Sequence, residues 1–427
     1  MSIKHLYEDE RPTLLLDFAN SKTLDPRITF TRNSTATYVD EQGIIRTAAD
    51  NEPRFDHNGA TGECLGLLIE ESKTNNITNS VAFQGYTTRN CSLTNNVSSA
   101  PDGTTTAAQM TEAAGYGGHH FFLSAAPGVA TVAQSIFVKG IGRDYASLRF
   151  YTANQDWYVV VFELTGAGSI TQETYGSSAS FTATSSITSV ANGWYRITAA
   201  ATNPGTQQAH PLIFGGSDSA NPGLASGDGQ VNYTGDATKG YYVWGAQWED
   251  STYSTSYIPT SGSTVQRASD VCNITGSNFD SWYNDTEGTL VLDISIAKTS
   301  GYAISFRIGG GSTVITGHGG LAPFNGLAYF SGSGSPKYLG YQNQNKYLLP
   351  STPAKVAYNW DMTTGEATVC LGPHDALTLT GFPVVTPLSY FMIFSTSVSS
   401  SMNTGHVSKI SYYNTRLSST ALEALTK

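Results

Sequence analysis

Apolar and polar residues alternate with a period of two along much of the chain. Leu290, Leu292, Ile294 and Ile296 interleave with Val291, Asp293 and Ser295. Tyr302, Ile304, Phe306 and Ile308 interleave with Ala303, Ser305 and Arg307. Successive side chains of a strand point to opposite faces, so each run predicts a strand with one apolar face. Turn-forming clusters lie between the runs, among them Gly309-Gly310-Gly311-Ser312 and the Ser-Gly-Ser-Gly-Ser-Pro of residues 331–336. Short strands, Gly-rich turns and no intervening helices predict an all-β protein of consecutive antiparallel β-sandwiches. One short C-terminal helix is expected, where Leu422 and Leu425 stand three apart behind Ser418, Ser419 and Thr420. Any of the three hydroxyls suits an N-cap, and Thr420 with Glu423 fits a capping box. Trp194, Trp244 and Trp248 are expected on core strands.

Composition sharpens this picture. Of 427 residues only 13% are charged, while Ser and Thr number 99 and Gly 43. Aromatics at 11%, 24 of them Tyr, exclude a disordered chain. The scarcity of Lys and Glu excludes a coiled coil. The solvent faces must therefore carry hydroxyls and amides. Net charge is −10, and no long segment is basic, so a nucleic-acid partner is not expected. The start of the chain is polar, so a secretory signal is not expected, and no run is long and apolar enough to insert in a membrane. Cys64, Cys91, Cys272 and Cys370 are far apart and are read as free thiols, with no zinc spacing.

At this length more than one core is expected. Polar runs at residues 75–81 and 259–264 divide the chain into an N-terminal β-rich docking or wrapping segment (1–80), a middle domain (81–262) and a last domain (263–427).

The N-terminal segment carries Pro12-Thr-Leu-Leu-Leu-Asp-Phe18, Phe30-Thr-Arg-Asn-Ser-Thr-Ala-Thr-Tyr38, Pro53-Arg-Phe-Asp56 and Leu65-Gly-Leu-Leu-Ile-Glu-Glu71. In this order the four motifs resemble a segment of bacteriophage virion proteins, especially fibre and appendage proteins. Asn33 departs from the Ala of the family's pattern. Residues 81–262 resemble jelly rolls related to carbohydrate-binding modules, through Gly193-Trp-Tyr-Arg-Ile197, Tyr242-Val-Trp-Gly-Ala-Gln-Trp-Glu249 and Thr255-Ser-Tyr-Ile-Pro-Thr260. Residues 266–427 resemble the concanavalin A-like, laminin-G-type sandwich, through Glu287-Gly-Thr-Leu-Val-Leu292, Val356-Ala-Tyr-Asn-Trp360 and the 405–418 strand before the helix.

The resemblance implies a structural virion protein: a tail or head fibre, an appendage or a decoration. It implies other virion proteins as partners, a homo-oligomer with a trimer favoured, and contact with host-surface glycans. Related jelly rolls often hold a structural calcium. The corresponding strand here presents Trp244 and Gly245, which leaves calcium to Glu249 and Asp250 nearby and otherwise implies no cofactor. A packing protein without glycan binding and a capsular-polysaccharide depolymerase are the alternatives. A cellular secreted lectin is a weaker one, because it needs the missing signal.

No catalytic pattern of known spacing occurs: no GxSxG, HExxH, GxGxxG or Walker A, and no Glu-x-Asp-x-Glu strand. An enzyme is therefore not expected. Glu70-Glu71 and Glu249-Asp250 are read as solvated strand ends whose neighbours face opposite ways. Sugar recognition needs aromatic faces and planar polar groups. The candidates are Tyr116, His119, His120, Tyr151, Trp157 and Tyr158 in the middle domain, and Tyr341 and Tyr347 in the last, with Tyr338 nearby. Of the adjacent His119 and His120, one is expected buried and one exposed.

Overall fold

The computed structural model describes residues 11–123, 131–151, 156–176, 181–202, 212–225, 227–297, 304–310, 313–318, 328–331, 337–339, 352–372, 374–381, 388–394 and 404–427. Tyr341 and Tyr347 lie outside these residues. The fold is all-β, built from antiparallel sheets that face each other around two large apolar cores.

The first sandwich is formed by residues of the middle region. One six-stranded sheet runs in the order Thr182–Val190, Trp194–Thr202, Thr131–Ile141, Gly240–Glu249, Ala107–Glu112, Cys91–Ser98. The other runs Ser169–Tyr175, Trp157–Glu163, Tyr145–Tyr151, Leu212–Ser217, His120–Leu123, Thr87–Arg89. Alternate residues from both sheets, such as Ile136, Val138, Leu148, Phe150, Val160 and Phe214, meet in one core.

The second sandwich contains the strands of the last region. One sheet runs Leu377–Thr380, Glu366–Leu371, Ala354–Asp361, Glu287–Ile296, Gly405–Tyr413, Cys64–Ile69, Phe55–His57. Leu14–Asp17 also pairs with Gly405–Tyr413, from Leu14 opposite Tyr412 to Asp17 opposite Lys409. The facing sheet begins Thr29–Thr31, Val271–Thr275, Tyr390–Ile393, Ile304–Gly310. Leu290, Leu292, Ile294 and Ile296 all point into the core, as their alternation predicts.

The N-terminal segment is thus built into both sheets of the second sandwich, and Leu14, Leu16, Phe18, Phe30, Leu67 and Ile69 are part of its core. The same segment also covers the first sandwich. Its hairpin, Ala36–Val39 paired with Ile45–Ala48, sets Ile45 against Phe137, Trp194 and Trp244 on the outer face of the first sheet. Thr131–Ile141 is therefore buried on both faces from Val132 to Val138. Two glycines permit these approaches. A Cβ on Gly43 would lie 2.4 Å from the Gly59 carbonyl oxygen and 2.7 Å from Ala191 Cβ. A Cβ on Gly66 (φ +102°) would lie 2.2 Å from the Val407 carbonyl oxygen.

The polar runs at 75–81 and 259–264 do not behave as free linkers. Lys73–Asn75 pairs with Val265–Arg267, and Asn79 bridges Ser261. Asn75 is fully buried and donates to the carbonyls of Ala246 and Ile258. Entry to and exit from the first sandwich run side by side.

The C-terminal helix is Ser419–Leu425, capped by Ser418, whose hydroxyl accepts from the Ala421 N–H. The Thr420–Glu423 capping box does not form, because Ser418 is the N-cap and Thr420 lies inside the helix; Glu423 accepts from the Ala376 N–H. Leu422 packs on Val291, Ala357 and Cys370, covering the outer face of that sheet. No helix among the described residues is long and apolar enough to cross a membrane. All four cysteines are free, with Cys272 and Cys370 buried.

Candidate functional site

Among the described residues, the densest constellation of buried charged side chains lies where the N-terminal segment joins the two sandwiches. Arg32, Arg54, Glu70, Arg267 and Asp270 are each at most 2% exposed. Arg54 is the hub. Its Nη1 donates to Glu70 Oε2 at 2.6 Å, and its Nη2 donates to Asp270 Oδ2 at 2.5 Å. Arg32 Nη1 donates to the other Asp270 oxygen at 3.0 Å, and Arg267 Nε lies 3.4 Å from Glu70 Oε2. Backbone groups complete the set. Asp270 accepts from the Glu70 N–H at 2.8 Å, and Arg54 donates to the Thr37 carbonyl. Ser256 donates to Glu70 through both its N–H and its hydroxyl, at 2.7 and 2.6 Å.

Four of the participants come from motifs seen in the sequence. Arg32 belongs to the 30–38 motif, Arg54 to 53–56, Glu70 to 65–71 and Ser256 to 255–260. Arg267 ends the Val265–Arg267 strand, and Asp270 stands just before the Val271–Thr275 strand of the second sandwich. The motifs thus converge on one ion cluster. Burial pushes the Glu70 carboxyl up, but the nearby Arg267 and Arg54 outweigh it and hold it well below the usual carboxylate range. Burial likewise disfavours the charged Arg54, and Asp270 and Glu70 overcome this and raise its pKa. Cohesion follows from this arrangement. Both carboxylates are held by arginines in a site closed to solvent.

Two expectations about carboxylate pairs need correction. Glu70 is a buried ion-pair partner, not a solvated strand end, because two arginines from other segments, Arg54 and Arg267, face its carboxylate. Glu71 is partly buried and accepts from the Tyr253 hydroxyl. Glu249 is fully buried, and its carboxylate accepts from the N–H and hydroxyl of Thr255, while Asp250 is exposed. Burial raises the pKa of Glu249. Among the described residues no group of three His, Cys, Asp or Glu side chains could hold a metal ion.

Four sugar-contact candidates come together in the middle region, but beneath a loop. Tyr151 stands opposite Trp157 across adjacent strands. Residues 218–225 and 227–235 fold over this sheet face, held by Arg149, which donates to the Asp228 carbonyl at 2.8 Å and pairs with its carboxylate at 2.9 Å. Trp157, 8% exposed, is wedged against Gly176 and Gly229. His119 and His120 are 1% and 5% exposed, so the expected exposed member of the pair does not exist. His119 Nδ1 donates to the Asn90 carbonyl at 2.8 Å, and its ring packs on Tyr233. Burial, reinforced by Arg149 and Arg89, pushes His120 down to about 3, so it is neutral. The hollow between the histidines and Gln230 measures about 10 Å³, room for about one water.

Tyr158 belongs to the inner core and is fully buried, its hydroxyl donating to Glu173 at 2.5 Å. Its ring offers no face to a sugar, because strand alternation turns it inward when Trp157 turns outward. Tyr151 is half-buried. Tyr116, on Gly115–Gly117 paired with Tyr233–Gly235, is 77% exposed. Trp194, Trp244 and Trp248 are buried on their strands.

No protein-family model and no curated protein matches the chain. Among solved structures, domain 4 of AbnA, a GH43 extracellular arabinanase from Geobacillus stearothermophilus, in complex with arabinotriose, is similar at 12% identity and a TM-score of 0.31, over 37% of this chain and 73% of that one. The CBM40 of the Ruminococcus gnavus IT-sialidase, bound to α2,3-sialyllactose, is similar at 14% identity and a TM-score of 0.26, over 33% and 83%. A Trypanosoma rangeli sialidase in complex with 2,3-difluorosialic acid is similar at 10% identity and a TM-score of 0.26, over 75% and 60%. TM-scores this low carry no ligand or activity over to this chain.

Proposed function

We propose that this chain is a non-enzymatic structural protein of a bacteriophage virion, a fibre, appendage or decoration subunit, which holds two β-sandwiches as one stiff unit and touches host glycans with its outer surface. One observation supports the stiff, cohesive unit of this reading: the buried Arg54–Glu70–Asp270 cluster, in which the N-terminal segment meets both sandwiches. The Glu70 and Asp270 carboxylates are held by arginines for cohesion, which leaves them unsuited to acid–base work. The virion assignment rests on the resemblance of residues 11–80, and the trimer favoured for such appendages belongs to the same proposal.

A second reading, packing without glycan contact, is favoured by the burial of Trp157, Tyr158, His119 and His120. One set of experiments on the purified full chain separates the readings. A glycan array and a lawn-halo assay should give saccharide binding without halo formation. Halo formation would establish a depolymerase, and a silent array would leave the packing role. Light scattering should report an oligomer, and a monomer that binds no virion component would count against the virion role.

A further inference from the structure

The N-terminal segment buries one set of charges and leaves another open. On its solvent side a cleft of about 550 Å³ lies between the Ala36–Val39 hairpin and the 52–57 stretch. This is within the range of about 300–1,000 Å³ typical of small-molecule sites. Tyr38 and Phe55, both half-buried, supply ring surface to its wall. Asp40, Glu41 and Glu52 supply carboxylates, and Lys22 an ammonium.

The polar groups are positioned. Asp40 caps the hairpin turn, accepting from the N–H groups of Gln42 and Ile44 and pairing with Arg46 at 2.6 Å. Glu52 accepts from the Ala49 N–H through Oε2, and Lys22 pairs with Glu41 at 3.1 Å. His57 also lines the cleft and is 7% exposed. Its Nδ1 lies 3.1 Å from the Val39 carbonyl, which can only accept, so Nδ1 carries the proton. Nε2 is buried and has no hydrogen-bond partner among the described residues. Three carboxylates face two cations, so the field is negative. Consistent with this, burial and then Glu52 and Asp40 raise the Tyr38 phenol, against Arg46.

We infer that this cleft is a binding site for a neutral saccharide. Ring faces take the C–H side of a pyranose, and fixed carboxylates take pairs of its hydroxyls. The negative field disfavours sialic and uronic acids. A second hollow of about 530 Å³ shares Glu41 and Gln42 and extends toward Ala191 and Asn192 of the first sandwich, which gives an oligosaccharide room to continue. The inference rests on the glycan-contact reading above and assigns that contact to a place.

Saturation-transfer NMR on the full chain tests it. The probes are neutral gluco-, galacto-, manno- and N-acetylglucosamine di- and trisaccharides, with sialyl- and uronyl-saccharides as the acidic arm. Neutral probes should bind. Tyr38→Ala and Glu52→Gln should each weaken binding about tenfold, and Tyr116→Ala should leave it unchanged. Glu52 is exposed, so the Gln variant keeps the test valid if the Tyr38 variant misfolds. Neutral binding lost only in Tyr116→Ala would overturn the cleft and keep glycan contact. Preference for the acidic arm would overturn the cleft as a neutral site. No binding by any probe would overturn both.

Discussion

Two faces of the same N-terminal segment use similar residues to opposite ends. On one face Arg32, Arg54 and Glu70 are dry, and with Arg267 and Asp270 they complete one another's charge. On the other, Asp40, Glu41 and Glu52 stand at the lip of an open cleft, two of them paired with exposed cations. The residue type does not decide the role. What decides it is whether chain from elsewhere arrives to exclude water. Residues 256 and 267–270 do so on the buried face, and nothing among the described residues does so on the open one.

The contrast predicts a steep gradient of mutational effects. Arg54→Ala would leave Glu70 and Asp270 without their shared partner in a water-free site. The expected loss is about 3–5 kcal/mol of stability, read by denaturant unfolding. Trp194→Ala should cost a similar ~3–5 kcal/mol through its cavity at the hairpin contact. It should unfold the first sandwich rather than remove binding selectively, and a folded variant that had lost only binding would contradict that placement. Gly66→Ala adds a side chain at positive φ against the Val407 carbonyl, and the backbone conformation alone costs about 1–3 kcal/mol. Loss should be visible as a lower Tm, with the second sandwich affected first.

Acid should weaken the dry face selectively. The folded-state pKa of Glu70 lies below its ordinary value of 4.5. Its stabilising contribution is therefore complete above that pH and lost as pH falls through the depressed value. A pH series of Tm should be flat near neutrality and drop below about pH 4.5, and Glu70→Gln should flatten part of the drop. The smallest effect belongs to the open face. Glu52→Gln should change stability by less than about 0.5 kcal/mol, because the Gln carbonyl can still accept from Ala49.

Much of the architecture was legible in the sequence. The alternation at Leu290–Ile296 located a core strand, the tryptophan strands were found, and the terminal helix stood where its spacing put it. What escaped was long-range. Glu70 looked like a strand end beside Glu71, since its partners lie 16 residues away at Arg54 and about 200 away at Ser256, Arg267 and Asp270. The 75–81 and 259–264 runs looked like domain boundaries because Asn, Ser and Thr are polar, yet buried Ser80 and Thr260 bond each other and buried Asn75 bonds the backbone. His119 and His120 were expected to alternate between core and solvent. The stretch at 227–235 covers the face that alternation alone would leave wet. The cleft residues Tyr38, Phe55 and His57 lay inside or beside the quoted motifs, but only the hairpin fold brings them together.

The central claim is that the buried cluster makes the two sandwiches one cooperative unit. Differential scanning calorimetry of the full chain tests it most directly, comparing wild type with Arg54→Ala. A single wild-type endotherm with equal calorimetric and van't Hoff enthalpies is expected, splitting or falling sharply in the variant. Two independent wild-type endotherms, neither moved by Arg54→Ala, would contradict it.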